Sequence, residues 1–168
     1  MTKSVFNIIL TACAAGLSSL LIGALLPIER FEPDSFLFSA KEGEPKIYDK
    51  LSIRKWKEKL PDLSKMVDIM YPKNVIRRPT AVNTERLIQE TCLAEYVHLF
   101  LMALSPLIFA AEPGPLGAVA ALLFFLGNIP FIMVQRYNRP KLCALHEKLV
   151  IRENKKASDT LAKGESIK

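Results

Sequence analysis

The chain has 168 residues, of which 50% are hydrophobic, and it carries a formal net charge of +6 at pH 7. Its mean hydropathy is +0.19 and the apolar residues are gathered into long runs, which argues against an ordinary soluble domain. Because the basic residues flank those runs, the pI of about 9.3 indicates contact with a membrane surface and argues against a nucleic-acid partner.

Three apolar runs, at about residues 5–28, 93–111 and 116–134, are each close to the roughly 20 residues that a helix needs to cross a hydrocarbon core. They predict an all-α membrane protein with three transmembrane helices, in a single membrane domain that covers residues 1–152. The polar residues 153–168 are predicted to form a disordered basic tail.

The basic residues predict the orientation of the spans. The loop 29–90 holds thirteen lysines and arginines and the segment 135–168 holds nine, whereas the link 112–115 holds none. The positive-inside rule then places the loop and the C-terminus in the cytoplasm and the N-terminus outside. We therefore predict a multi-pass protein of the cytoplasmic membrane.

The cytoplasmic loop contains an apolar pattern with the period of a helix. Apolar side chains recur there every three or four residues, with charged ones between them, at Ile53, Trp56, Leu60 and Leu63. The pattern predicts an amphipathic helix in the headgroup region, with Trp56 as its interfacial anchor. Residues 63–70 predict a second short apolar face.

Individual residues indicate where the second and third spans begin and end. Asn83 or Thr84 can cap the start of the second helix, and Pro106 is expected to kink it. The third span is bounded by Pro115 and by the segment 135–140. After that segment, leucines spaced three and four residues apart predict a separate surface helix.

Two ionisable residues inside the second span are functional candidates, because charge inside a membrane is costly. Glu95 and His98 share one helix face with Thr91. A rise of about 1.5 Å per residue places His98 and Asn128 of the third span at similar depths, roughly 8 and 10 Å from the cytoplasmic surface. These polar groups are therefore predicted to share one layer of the membrane.

The residues alone leave two interpretations of this layer open. Glu95 can orient the imidazole of His98 so that it takes a proton from a hydroxyl group. Alternatively, Glu95, His98 and Asn128 hydrogen-bond to one another and hold two helices together. A metal site would need further carboxylates, and only Glu90 is nearby, so no metal is predicted. The three cysteines lack the spacing of a metal site or a disulfide framework.

The third span is followed by a segment rich in hydrogen-bond donors, Gln135-Arg136-Tyr137-Asn138-Arg139-Pro140-Lys141. Its cations can satisfy anionic lipid headgroups, which requires no specific site. The density of donors also suits a phosphate or diphosphate group, held by Gln135, Arg136, Asn138 and Arg139. The sequence contains no glycine-rich phosphate loop, nucleophile elbow or HExxH motif.

Three stretches of the chain resemble the sequence pattern of a known protein family. They are Lys50-Leu51-Ser52-Ile53-Arg54-Lys55-Trp56-Lys57 with Leu60-Pro61-Asp62, then Glu90-Thr91 with Ala94-Glu95 and His98, then Asn128-Ile129-Pro130 with residues 135–142. Together they resemble the glycosyl-4,4'-diaponeurosporenoate acyltransferase family over most of residues 47–142. The resemblance implies transfer of a fatty acyl group, from acyl-CoA or an acyl-carrier protein and without a further cofactor, to the primary hydroxyl of a membrane-embedded glycosyl carotenoid.

The resemblance also implies roles for individual residues. In that interpretation His98 is the general base on a sugar hydroxyl, Glu95 orients it, and Asn128 positions the substrate or stabilises the oxyanion. The substrate contacts would come from the loop and the helix ends: Arg54, Lys55, Trp56, Glu90, Thr91, Gln135, Arg136, Tyr137, Asn138 and Arg139. The arginines and Lys55 would hold the phosphates or the pantetheine end of the donor, and Trp56 would roof the site.

Two other classes of function compete with an enzyme. A non-catalytic accessory or scaffold subunit of a membrane lipid or carotenoid biosynthesis complex would use the polar layer for helix packing alone. A transporter fragment is less favoured, because one polar stripe in three spans gives no continuous path unless the protein oligomerises. The expected partners are membrane lipid, the glycolipid or glycosyl-carotenoid substrate, and either further copies of the chain or other biosynthetic membrane enzymes.

Overall fold

The computed structural model describes residues 2–60 and 79–165. The described chain forms five α-helices: α1 (Thr2–Leu25), α2 (Glu44–Lys50), α3 (Ile53–Trp56), α4 (Ala81–Ala111) and α5 (Pro115–Glu165). Two short 3-10 turns, Ile28–Arg30 and Lys57–Lys59, accompany them. Helices α1, α4 and α5 are each long and apolar enough to cross a membrane, which confirms the all-α class with three candidate spans.

Helices α4 and α5 pack against each other along most of their length in opposite directions. His98 of α4 contacts Asn128 of α5, while Ala81, at the start of α4, contacts His146, far along α5. Polar groups that are distant in sequence therefore meet at more than one level between these two helices.

Helix α1 packs on α4, also in the opposite direction. Gly23 lies beside the side chain of Val97, and Asn7 donates a 3.4 Å hydrogen bond to Glu112 at the end of α4. The start of α1 and the α4–α5 link therefore lie at one end of the bundle, and the loop after α1 lies at the other end with the basic half of α5. Which end faces the cytoplasm stays a prediction.

Two helix limits differ from those predicted. The first apolar run was expected to be helical to residue 28, but α1 ends at Leu25, because Pro27 lacks an N–H group and restricts the residue before it. Helix α4 begins at Ala81, earlier than a cap at Asn83 or Thr84 would place it. Its cap is Thr80, whose Oγ1 accepts a 3.2 Å hydrogen bond from the backbone N–H of Asn83.

Helix α5 corrects the predicted boundary at 135–140. It passes through both Pro130 and Pro140 as one helix of 51 residues, so no separate surface helix begins after the third span. A proline inside a helix removes one backbone hydrogen bond and costs about 3 kcal/mol. Side-chain contacts of Arg136 and Arg139 on the turn before Pro140 offset that cost, as described below.

The tail is also helical where disorder was predicted. Helix α5 continues from residue 153 to Glu165, and the three residues after it are outside the described chain. Glu153 explains part of this order, since its Oε1 accepts a 3.1 Å hydrogen bond from the N–H of Ala81. His146, two turns earlier, donates from Nδ1 to the carbonyl of Ala81 at 3.0 Å. The start of α4 is thus tied to the extension of α5.

The loop after α1 folds back onto the bundle. Phe31 and Phe38 pack with Cys92 of α4 in a small apolar core, and the two phenylalanine rings are 5.9 Å apart. Phe31 also meets the ring of Tyr96 edge to face at 5.7 Å. These contacts bring residues 31–44 over the same level of α4 that carries Glu95.

The predicted amphipathic helix around Trp56, which was expected to run from Ile53 to the break at Pro61, is shorter in the structure. Helix α3 ends at Trp56 and a 3-10 turn follows it, while Leu63 and the apolar face 63–70 lie outside the described residues. Ile53 is 0% exposed, so this side chain packs inside the protein and not among lipid headgroups. Trp56 donates from Nε1 to the carbonyl of Leu51 at 2.9 Å, which ties the indole to its own loop.

Candidate active site

Polar side chains between α4 and α5 form two neighbouring layers. The first, here the arginine layer, consists of Glu44, Thr91, Glu95, Arg136 and Arg139. The second, here the histidine layer, consists of His98, Asn128 and Phe131. Glu95 and His98 are three residues apart on α4, so the layers are separated by about one helical turn.

Arg136 is hydrogen-bonded through every one of its N–H groups. Its Nη1 donates to Glu95 at 2.6 Å and to the carbonyl of Leu37 at 3.0 Å. Its Nη2 donates to Glu44 at 2.7 Å and to the carbonyl of Ser39 at 3.0 Å, and Nε donates to Glu44 at 3.2 Å. This arginine therefore joins α5 to α4 and to the loop at the same time.

Arg139 completes the arginine layer from the next turn of α5. Its Nη2 donates to the other oxygen of Glu95 at 2.6 Å, and its Nε donates to the hydroxyl of Thr91 at 3.0 Å. Its Nη1 donates to the carbonyl of Phe38 at 2.7 Å. Arg139 is 3% exposed and Glu95 is 1% exposed, so this ion pair is buried.

Charge balances within the arginine layer, because two guanidinium groups face two carboxylates. Burial by itself raises the pKa of Glu44, but the hydrogen bonds and the positive charge of Arg136 outweigh it and hold that pKa below its usual value. Tyr48 donates its hydroxyl to Glu44 at 3.1 Å. Burial, followed by the negative charge of Glu44, raises the pKa of Tyr48 to about 12.

The histidine layer contains an imidazole, an amide and a phenyl ring, and no carboxylate or guanidinium group. His98 Nδ1 lies 2.8 Å from Asn128 Oδ1, and Asn128 Nδ2 donates to the carbonyl of Phe124 at 2.8 Å. A carbonyl oxygen only accepts, so the contact with Phe124 fixes which end of the amide faces the imidazole. An amide oxygen also only accepts, so Nδ1 carries the proton and the lone pair of the neutral ring is on Nε2.

The imidazole plane is fixed as well. The ring of Phe131 stacks on His98 with 4.7 Å between the centroids and an interplanar angle of 12°. Within residues 2–60 and 79–165, Nε2 makes no hydrogen bond. The histidine layer therefore holds one proton acceptor in a defined orientation, ready for a hydrogen-bond donor from a bound molecule.

The structure corrects the predicted pairing of Glu95 with His98. Both oxygens of Glu95 face the arginines of α5, and the partner that orients His98 is Asn128. The reason is electrostatic, since a buried carboxylate gains more from two guanidinium groups than from one neutral imidazole.

The structure also corrects the expectation that Arg136 and Arg139 hold phosphates. Their N–H groups are occupied by carboxylates, carbonyls and Thr91 inside the protein. Thr91 is itself buried and belongs to the arginine layer. Glu90 faces away from the layer and pairs at 3.4 Å with Arg86, whose side chain is 66% exposed.

The remaining predicted contacts lie on the surface of the loop and of α5. Arg54 and Lys55 are exposed, and Gln135 is half-buried. Asn138 accepts a 3.0 Å hydrogen bond from Lys57, and Tyr137 lies beside the same lysine. The predicted residues thus separate into the buried arginine layer, the histidine layer and a basic surface below them.

Three residues of this region were not predicted as site residues from the sequence: Glu44, Phe131 and Lys57. Charge balance could have indicated an acid such as Glu44, because Arg136 and Arg139 at one level leave Glu95 with one positive charge too many. Phe131 follows Asn128 by three positions and so shares its helix face, which is a weak signal.

The described part of the chain contains no group of three or more histidine, cysteine or acidic side chains that could hold a metal ion. It does contain two adjoining cavities between the loop and α5, of about 280 and 180 Å³. Both are lined by Ala40, Glu44, Arg136 and Pro140. A small molecule can therefore approach α5 from the side of the loop.

A sequence model of the family named glycosyl-4,4'-diaponeurosporenoate acyltransferase matches residues 32–148, well over half of the chain. The chain belongs to this family. The matched range contains every residue of the arginine and histidine layers, and it excludes α1 and the end of α5. The resemblance inferred from the sequence is therefore confirmed. The protein belongs to a family of acyltransferases that is named after a glycosylated carotenoid.

Individual relatives agree with the family match. The glycosyl-4,4'-diaponeurosporenoate acyltransferase of Staphylococcus aureus strain MRSA252 is 30% identical over 127 residues, which are 74% of this chain and 76% of the relative. The protein of the same name from strain USA300 is 29% identical over the same length. No solved structure matches the chain.

Proposed function

We propose that this protein transfers a fatty acyl group from a thioester donor to a hydroxyl group of a glycosylated carotenoid, with His98 as the general base. The observation that carries the proposal is the hydrogen bond from His98 Nδ1 to Asn128 Oδ1, with the amide fixed by the carbonyl of Phe124. It leaves Nε2 as a proton acceptor, whereas the buried charged residues nearby, Glu95 and Arg139, are paired with each other.

The reaction then follows from one proton transfer and one acyl transfer. His98 Nε2 takes the proton from the sugar hydroxyl while that oxygen attacks the carbonyl carbon of the thioester. The tetrahedral intermediate expels the sulfur, and the imidazolium returns the proton to the departing thiolate. The products are a sugar ester and a free thiol, and the histidine ends in its starting tautomer.

The residues around His98 are positioning residues in this proposal. Asn128 selects the tautomer and Phe131 fixes the ring plane, so both act through the imidazole. Glu95 acts from a greater distance, because its ion pairs with Arg136 and Arg139 hold α5 against α4 about one helical turn from the level where His98 meets Asn128. Holding a base in one orientation lowers the entropy that the transition state must lose.

We also propose that the site opens toward the cytoplasm. The loop and the basic half of α5 lie at the same end of the bundle, and the positive-inside rule assigns such an end to the cytoplasmic side. Acyl thioesters of coenzyme A and of carrier proteins are made in that compartment. The apolar acceptor would lie in the membrane beside the exposed apolar surfaces of the spans, with its sugar at the histidine layer.

The test is transfer by the purified protein in neutral lipid vesicles, supplied with a fatty acyl-CoA and a glycosyl carotenoid and followed by mass spectrometry of the ester. We expect His98→Ala to lose about 10² to 10⁴ in turnover, the usual contribution of a positioned general base. His146→Ala is the matched control, since it removes the other histidine of the chain, and it should retain activity.

Undiminished turnover of His98→Ala would contradict the role of the general base. A wild-type protein that transfers no acyl group alone, yet co-purifies in fixed ratio with a larger membrane enzyme, would favour the accessory subunit instead.

A further inference from the structure

Two lysines converge on one tyrosine ring at the surface between the loop and α5. Lys57 Nζ lies 5.2 Å from the ring centroid of Tyr137, and Lys141 Nζ lies 3.3 Å from the same point. Lys57 also donates to Asn138 Oδ1 at 3.0 Å, which fixes its direction. We name the group formed by Lys57, Lys141, Tyr137 and Asn138 the lysine site.

The lysine site has no paired acid among the side chains that the structure describes. Over residues 2–57 and 79–161, neither ammonium group lies within salt-bridge distance of a carboxylate. Asp49 and Glu44 both line the nearby cavity, and Glu44 is already paired with Arg136. Among the described residues, the arginine layer is almost fully paired, whereas the lysine site is not.

The face of the tyrosine ring attracts each ammonium group, but the two like charges repel each other, and an anion that contacts both would remove this repulsion. Both distances are measured to the same centroid, so the two nitrogens are no further apart than the sum of those distances, a separation that one diphosphate can bridge. The cavity of about 180 Å³ is lined by Tyr48, Tyr137 and Lys141, so it adjoins one of the two lysines and leaves room for such a group there.

We infer that the lysine site binds the phosphate groups of the acyl donor, which we assign to the coenzyme A thioesters. This inference rests on the proposed function and names its donor. Residue 137 follows residue 128 by nine positions, which is about 14 Å of rise along α5 and half a turn around it. An extended pantetheine arm is long enough for this rise, and it would have to pass around the side of α5 to bring the thioester carbonyl to the histidine layer.

The first test measures binding of coenzyme A itself, which needs no turnover, to the protein in nanodiscs of neutral phosphatidylcholine. We expect Lys57→Ala and Lys141→Ala each to weaken binding about tenfold, the effect of one lost hydrogen bond to a charged group. Lys141→Arg should retain most of the affinity. Lys59→Ala and Lys148→Ala, which remove exposed lysines of the same two segments, should bind as the wild type does.

Unchanged affinity in the Lys57→Ala/Lys141→Ala double variant would overturn the inference. An anionic lipid headgroup offers the same phosphate chemistry, so a second measurement compares how much phosphatidylglycerol the wild type and the double variant retain in discs of mixed lipid. A double variant that loses association with phosphatidylglycerol and keeps its affinity for coenzyme A would assign the site to lipid and overturn the donor assignment.

The second test separates a phosphate site from a general loss of structure. An acyl N-acetylcysteamine thioester has the reactive end of the donor without its phosphates. With acyl-CoA, the lysine variants should show a KM raised about tenfold for each lysine and little change in kcat. With the short thioester they should match the wild type, and equal losses with both donors would contradict the inference. If the wild type binds coenzyme A and transfers nothing, the proposed function fails and the site stands.

Discussion

The arginine layer and the histidine layer are one helical turn apart between the same two helices, yet they differ in what they leave unpaired. In the arginine layer, two guanidinium groups and two carboxylates use nearly all their hydrogen-bonding capacity on each other and on loop carbonyls. In the histidine layer, Asn128 uses both ends of its amide and leaves one ring nitrogen of His98 without a partner in the described chain.

This difference separates two uses of polar groups inside a membrane protein. A group whose hydrogen-bonding positions are all used inside the protein has none left for a ligand. Its contacts instead hold the helices and the loop together. An oriented but unsaturated group gains a partner only when something binds, so it is suited to recognition or catalysis. Substitutions in the two layers should therefore affect different measurements.

The largest effect on stability should come from Glu95. Replacing it by leucine leaves Arg136 and Arg139 buried with one carboxylate fewer, and removing one partner of a buried ion pair typically costs about 3 to 5 kcal/mol. We expect a large fall in the thermal unfolding temperature in detergent micelles.

Glu90→Leu is the matched control for this experiment, because Glu90 is on the same helix and its ion pair in the described part of the chain is with the exposed Arg86. Its effect should be below about 1 kcal/mol. If the two variants unfold at the same temperature, the arginine layer does not stabilise the fold as described.

A smaller effect, confined to activity, is expected for Asn128. In Asn128→Ala the imidazole loses the acceptor that holds its proton on Nδ1, and kcat should fall about 10- to 100-fold at unchanged KM. Asn128→Asp keeps an acceptor at that position and should recover part of the rate. An alanine variant with normal kcat, or an aspartate variant without any recovery, would contradict the positioning role.

The smallest effect concerns Glu44 and appears only in acid. The pKa of Glu44 is lower in the folded protein than 4.5, the ordinary value of a glutamate carboxyl group, so the folded state favours the charged carboxylate. Its contribution to stability is complete above about pH 4.5 and is lost as the pH falls through the lowered pKa. Glu44→Gln should flatten the fall in unfolding temperature below pH 4.5, whereas Glu42→Gln, at an exposed position nearby, should not.

Much of this architecture was predictable from the sequence. Hydrophobic length alone identifies three spans, and helix spacing places His98 and Asn128 at one level. The continuous helix α5 was not predictable, because Pro140 and the polar residues after it are local signals of an end, while the contacts that keep it helical come from Glu44, Glu95 and Ala81 elsewhere in the chain.

The partner of His98 was misassigned for a related reason. Glu95 and His98 are close in sequence, and a local carboxylate is the usual partner of a histidine. The arginines that take Glu95 are some forty residues away, and the sequence alone does not show that they turn inward. The pairing of Glu95 is therefore set by competition between His98 and two arginines that are distant in sequence. Spacing along one helix does not reveal that competition.

The most direct test of the account is a double-mutant cycle on turnover with His98→Ala, Asn128→Ala and the combined variant. If Asn128 acts only through the imidazole, the combined variant should be no slower than His98→Ala alone, although each single variant is slower than the wild type. Losses that add up across the two residues, or a His98→Ala variant as active as the wild type, would contradict a catalytic histidine oriented by Asn128.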